Sequence, residues 1–328
     1  MSEKVRDYRL DILRVIALAM IILMHSPLTC SVPAYVLSGI SYFTSPSIGL
    51  FFMISGALLL GNNLSTKEFL KKRFTKILFP TIFWTFFYLI IKYYSGQLSA
   101  TGVLKAVLSI PFSAQARSIL WFMYTLAGLY LLTPVLSQWL KKASKREIEF
   151  YLFLWVITLL YPYLERGLII NESHTGILYY FSGYLGYFLL GFYLKNHYKD
   201  DVKHVILAIL VAIIVPTCLH VGEIEFDFYR MLWYLSLPVA LMAFSWFVII
   251  SKCPNRKVEL ISEISKLSFG IYLIHIFVMR NILYNIELIR DMPGLVQIPV
   301  VSISTFIISF CVVWLISRLP YSKYIIGV

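Results

Sequence analysis

Apolar residues run along this chain in blocks about as long as a bilayer-crossing helix, and the polar residues gather between the blocks. Ten blocks can be drawn, at about residues 10–29, 44–61, 77–94, 118–137, 149–164, 177–194, 204–220, 231–250, 267–284 and 296–317, each near the roughly 20 residues a spanning helix needs. The pattern predicts an all-α integral membrane protein of about ten transmembrane helices. The loops are short, and no repeat, low-complexity tract or long linker divides the chain. Residues 1–328 therefore read as a single polytopic domain.

Composition sharpens this expectation. The chain is 59% hydrophobic and only 14% charged, far from the usual balance of a soluble domain. Its 23 Tyr and 24 Phe suit interfacial belts and intramembrane cavities. The net charge of +12 raises the question of nucleic acid, but the basic residues sit in short clusters between the blocks and read as topology signals. Twenty-one of the 29 Lys and Arg fall in the loop set that contains the N-terminus, for example Lys4, Arg6 and Arg9, then Lys141, Lys142, Lys145 and Arg146. Cytoplasmic loops carry this excess, so both termini are expected to be cytoplasmic. Cys30, Cys218, Cys253 and Cys311 show no metal or redox spacing and read as apolar packing residues. The first block lacks a small-residue cleavage site and is expected to be retained.

The first block, RLDILRVIALAMIILMH, carries ionisable residues that a simple anchor would avoid. Arg14 and His25 are eleven residues apart, about three turns, so they share a helix face roughly 16 Å apart along the axis. Asp11 lies three residues before Arg14, where the two can pair. Ionisable groups inside a membrane usually line a cavity or pathway. The alternative is that Arg14 snorkels to the headgroups with Asp11 as partner, while His25 caps the helix at the interface before Pro27.

Other stretches bear on that choice. SIGLFFMISGALLLGNN carries Gly49, Ser55, Gly56 and Gly61, small residues that permit close helix packing. The run KEFLKKRFTKILFP places Lys71, Lys72, Arg73 and Lys76 before Pro80. Such a cluster can bind phosphates, or serve topology and anionic lipid. RSILWFMYTLAGLY puts Arg117 and Trp121 at the outer interface, Trp121 as a belt anchor by default. In LSFGIYLIHIFVMR, Ser268, Tyr272 and His275 share one helical face; His275 is either a structural hydrogen-bonder or part of a polar pathway.

Together these stretches resemble the acyltransferase-3 family of integral membrane acyltransferases, which modify bacterial surface glycans. The likeness rests on an Arg, ten residues and a His in the first helix (Arg14, His25), preceded by Asp11, on FFMISG, on KKRFTKILFP with Arg73, on LWFMYTL, on YFSGYLGYFLLGFYL and on SFGIYLIH with His275. In build the chain is closest to the short members without a fused periplasmic domain. The resemblance implies transfer of an acyl group, commonly acetyl from acetyl-CoA, to a hydroxyl of a surface or lipid-linked glycan, at the bacterial cytoplasmic (inner) membrane. Acetyl-CoA would be a co-substrate, with no permanently bound cofactor and no metal. The implied partners are the acyl-CoA donor, the saccharide acceptor and membrane lipids, with no nucleic acid.

It also implies residue roles. Lys71, Lys72, Arg73 and Lys76 would hold the donor phosphates at the inner mouth, and Arg14 would orient the donor or its thioester. His25 would act as general base or brief acyl carrier, with base ranked first, and His275 would orient substrate or stabilise the oxyanion. Asp11, Trp121 and Tyr272 would line the passage. The rival readings are a transporter or exporter using intramembrane His and Arg, and a non-catalytic subunit of a secretion apparatus.

Overall fold

Local capping chemistry sets where the long helices begin. In the computed structural model, which describes residues 6–29, 32–62, 65–112, 120–164, 168, 176–199, 201–222 and 226–328, Ser65 Oγ accepts from the Glu68 N–H while the Glu68 carboxylate accepts from the Ser65 N–H. This capping box satisfies donors that the first turn of a helix leaves orphaned. Ser144 and Glu147 repeat the exchange. The helices so started are α4 (Thr66–Tyr94) and α7 (Lys145–Leu164).

The other α-helices are α1 (Arg9–His25), α2 (Ala34–Thr44), α3 (Pro46–Leu59), α5 (Ala100–Ser109), α6 (Trp121–Leu140), α8 (Leu185–Asn196), α9 (Val202–Val221), α10 (Phe228–Met231), α11 (Leu237–Ser251), α12 (Glu259–Phe277), α13 (Glu287–Arg290), α14 (Gly294–Ser317) and α15 (Ser322–Ile325). No strand occurs among the described residues. Every one of the ten expected blocks contains a helix. Among the described residues six helical stretches are long and apolar enough to cross a membrane: Ala34–Leu59, Thr66–Tyr94, Lys145–Leu164, Val202–Val221, Glu259–Asn285 and Gly294–Ser317.

Three features depart from the expected blocks. The sixth block is α-helical only from Leu185, after a 3-10 turn at Tyr179–Phe181, because Gly183 takes a left-handed backbone (φ 85°) after an extended Ser182. The ninth helix begins at Glu259, a polar start that hydrophobicity alone does not reveal, and it runs on into a π-helical segment, Val278–Ile282. The short helix α5 lies in what reads as a loop. Arg117 and Cys30 lie outside the described residues.

Burial separates core helices from a periphery. Most of α3 and of the apolar stretch that contains α12 is inside, whereas only about a quarter of the apolar stretch of α4, α7, α9 or α14 is buried. Ile206, Leu207, Leu210, Ile213 and Ile214 on α9, with Ile303, Ile307 and Leu315 on α14, are exposed. In water so many exposed aliphatic groups would be costly; against lipid they are at home. The chain is thus an all-α, multi-pass membrane protein. At its centre α1 packs against α3, α11, α12 and α14.

The tightest contact joins α3 to α8. A Cβ on Gly56 would stand 1.8 Å from the Phe188 carbonyl oxygen, and one on Gly191 would stand 1.9 Å from that of Met53. Backbone meets backbone there, the close approach that small residues permit between membrane helices. Gly191→Ala is accordingly expected to lower the thermal unfolding midpoint in detergent, at a cost of about 1–3 kcal/mol. Gly128→Ala, where nothing lies within 4 Å, should melt like the wild type; equal midpoints for the two variants would contradict the backbone contact.

Candidate active site

The site is built along the seam between α1 and α12. Asp11 is 4% exposed, and a buried carboxylate needs partners. It has them: Ser265 Oγ donates to Oδ1 at 2.7 Å, Ser262 Oγ to Oδ2 at 3.4 Å, and Arg6 Nη2 to Oδ2 at 2.7 Å. Arg14 Nη1 stands 4.0 Å from Asp11 Oδ1 and donates instead to Ser265 Oγ at 3.1 Å. The expected Asp11–Arg14 pair therefore works through a hydroxyl from another helix. That hydroxyl uses its one proton toward Asp11 and a lone pair toward Arg14, which fixes the guanidinium relative to α12.

Arg14 stands between two cavities. One, of about 890 Å³, opens at the end bearing the N-terminus and is lined by Arg6, Arg9, Asp11, Lys141 and Lys195 among others. The second, of about 230 Å³, lies among α1, α3, α4, α6 and α12; Arg14, Arg73, Lys76, Ser265, Ser268 and Tyr272 contribute to its wall. The Arg73 Nε is buried without a hydrogen-bond partner, so one donor of this guanidinium is held out of water and unsatisfied. Lys71 and Lys72 are exposed and do not line this cavity. The basic cluster is split, with Arg73 and Lys76 on the cavity and the other two outside it.

Toward the other end of α12, Tyr272 connects the inner cavity to the histidines. Its ring centroid is 5.6 Å from that of His275, which is 5.5 Å from that of His25, with the imidazole planes 33° apart. His275 is fully buried. Its Nδ1 lies 2.6 Å from the Tyr272 carbonyl oxygen. A carbonyl can only accept, so Nδ1 carries a proton; Nε2 has no partner among the described residues, and in the neutral ring it is a bare lone pair. His25 is half-buried at the last residue of α1. The end of α1 is tied down by Tyr284, whose hydroxyl donates to the Ser26 carbonyl. Arg280, exposed in the π-helical segment, brings its positive charge within electrostatic reach of both imidazoles. Such π segments recur at functional sites.

Trp121 belongs to an aromatic cluster. Its ring contacts Tyr184 at 5.4 Å and Tyr234 at 5.7 Å, and the Tyr234 hydroxyl donates to Met24 Sδ at 3.2 Å, next to His25 in the chain. The structure thus gathers Asp11 and Arg14, joins Arg14 to Arg73, Lys76 and Tyr272 around one cavity, and pairs His25 with His275. Ser265 and Tyr234 are additions. Ser265 extends the face of Ser268, Tyr272 and His275 by one step of three residues, so a longer reading of the period would have found it. Among the described residues no group of three His, Cys, Asp or Glu is placed to hold a metal ion.

A basic mouth, a polar seam and a buried imidazole with a free lone pair are the parts of a group-transfer enzyme set in a membrane. The profile of the acyltransferase domain, that of the acyltransferase-3 family, matches residues 7–318. The chain belongs to this family and is a membrane acyltransferase, which disfavours the transporter reading. Neither curated proteins nor solved structures yield a match to it.

Removing the hydroxyl that couples Arg14 to α12 tests the seam. Ser265→Ala should leave the helical circular-dichroism signal intact and lower acyl-transfer kcat/KM about tenfold, the loss of one hydrogen bond to a charged group. Wild-type kinetics in a folded Ser265→Ala protein would show that Ser265 does not set the position of Arg14.

Proposed function

We propose that the protein is an O-acetyltransferase of the bacterial inner membrane that moves acetyl from acetyl-CoA to a hydroxyl of a lipid-linked or cell-surface glycan. The observation that carries this reading is the pair of imidazoles, one with a bare Nε2, reached through Tyr272 from a cavity ringed by Arg14, Arg73 and Lys76. The basic end would face the cytoplasm, where acetyl-CoA is, and the histidines the acceptor side.

The inner cavity is smaller than the roughly 300–1,000 Å³ of most ligand pockets, so only the slender acyl-bearing arm of the donor would enter it. The phosphates would stay near Arg73, Lys76 and Arg14. The roughly 16 Å of helix between Arg14 and His25 argues against Arg14 acting at the reacting carbonyl and for a role in holding the donor.

The bare Nε2 of His275 suits a hydrogen bond from one ring N–H of His25. That bond would leave the other His25 nitrogen as base, so His275 would orient His25; a neutral His275 has no proton at Nε2 to offer an oxyanion. The sugar hydroxyl oxygen attacks the thioester carbonyl carbon and its proton passes to His25. Collapse of the tetrahedral intermediate breaks the C–S bond, and the leaving thiolate takes the proton from His25 to become the free thiol of CoA. The products are the O-acetyl sugar and CoA.

Acceptor-dependent release of CoA from acetyl-CoA, by purified protein with a membrane glycolipid extract, tests this. His25→Ala should lower kcat by about 100-fold or more with little change in donor affinity. Arg73→Ala should chiefly raise the acetyl-CoA KM, and Lys71→Ala should do so far less. No CoA release by folded wild-type protein with acetyl-CoA and several extracts would overturn the proposal.

A further inference from the structure

Near the histidine end lies a third cavity, of about 360 Å³, between the last turns of α7, the turn before α8, and α10. Three tyrosines, Tyr161, Tyr179 and Tyr229, contribute to its wall, with Ser182 and Arg230. The volume falls in the range of small-ligand sites. Its chemistry is mixed: broad ring faces, phenol hydroxyls, a serine hydroxyl and one cation. An acyl chain would need no such polar groups, and a multiply charged phosphate would call for more than one cation. A sugar ring, with an apolar C–H face to lie on an aromatic ring and a rim of hydroxyls to hydrogen-bond, uses both parts.

The cavity is held in shape by bonds between its separate walls. The Tyr163 hydroxyl on α7 donates to the Met231 carbonyl at the end of α10. Trp155 Nε1 donates to the Gly183 carbonyl at 3.0 Å, which fixes the turn before α8 against α7. Asp227 caps α10 through the Tyr229 N–H at 2.9 Å.

An aromatic ladder leads from this cavity to the reaction centre. Tyr229 packs edge-on against Trp233 at 5.3 Å, Trp233 lies 4.5 Å from Tyr234, and the Tyr234 hydroxyl reaches the sulfur of Met24. Met24 precedes His25. The ladder thus runs from the cavity wall to Met24, the residue before His25 on α1.

We infer that this cavity is a subsite for the saccharide acceptor, holding sugar units that adjoin the one acylated at His25. The nature of the occupant rests on the acyl-transfer reading above. A chain of sugars lying along Tyr229, Trp233 and Tyr234 would bring one hydroxyl to His25 while its neighbour fills the cavity. This recognises the acceptor apart from the reacting hydroxyl.

The test uses full-length protein in lipid nanodiscs, with Tyr161→Ala and Tyr229→Ala and their ring-retaining counterparts Tyr161→Phe and Tyr229→Phe. In the CoA-release assay the alanine variants should raise the acceptor KM by about tenfold or more, with the acetyl-CoA KM unchanged and the phenylalanine variants, which keep the ring and lose the hydroxyl, falling between alanine and wild type. In parallel, tryptophan fluorescence is titrated with chitotriose, maltotriose and trigalacturonate. At least one should bind the wild type saturably, and about tenfold more weakly to Tyr229→Ala.

If wild type releases no CoA, the acetyl-transfer reading fails and the titration alone decides the subsite. If wild type is active but the alanine variants keep its acceptor KM, the subsite inference fails and the function stands. Failure of all three sugars to bind folded wild type, or equal binding by wild type and Tyr229→Ala, also overturns the subsite.

Discussion

A carboxylate buried between two membrane helices has to be satisfied by its surroundings, and Asp11 is satisfied by Arg6 and, across the seam to α12, by Ser262 and Ser265. Ser265 donates to it and at the same time accepts from Arg14. This one hydroxyl ties α1 to α12 at a single register. Once that register is set, residues one to three turns further along meet as well, and the imidazoles of His25 and His275 come to 5.5 Å. An unpaired carboxylate in this position would be prohibitively costly. The polar seam and the site are thus consequences of one requirement.

The seam also divides labour along the helix axis. Arg14, Arg73 and Lys76 line the inner cavity at one end, and the two imidazoles lie at the other, with Arg280 within electrostatic reach of both. The separation is large enough that no side chain at the basic end reaches the histidines. An acyl donor with a charged head and a long uncharged arm matches that spacing, since the head can remain with the cations while the reactive end passes Tyr272. The aromatic groups around Tyr234 then form the remaining wall, on the side from which a hydroxyl-bearing acceptor would approach.

Around this centre, packing follows the rules of a lipid solvent. There is little hydrophobic drive between helices when the solvent is itself apolar, so contact is gained by close approach. At α3 and α8 that approach is backbone to backbone through Gly56 and Gly191. The peripheral helices α9 and α14 keep aliphatic side chains exposed, and α14 packs over both α1 and α12. Rigid packing of α3 matters to the site because Ser55 and Phe51, on the same helix, wall the inner cavity.

Much of this was legible in the order of residues, because it depends on local periodicity. Apolar blocks announce helices, and the 3.6-residue period puts Arg14 and His25 on one face, and Ser268, Tyr272 and His275 on another. Which faces meet is a different matter. Arg14 and Ser265 are 251 positions apart, and no local pattern shows that the hydroxyl of one helix will stand between Asp11 and Arg14 of another. The split of the basic cluster has the same cause: Arg73 and Lys76 reach the cavity, and Lys71 and Lys72 do not, because of how α4 is rotated against α6 and α12. The residues by themselves determined the helices, their membrane setting and the candidate chemical groups. Only tertiary packing decided which groups share a cavity, which imidazoles meet and where the aromatic ladder leads, since contacts between distant segments are set by the sum of all helix–helix interfaces rather than by any one stretch.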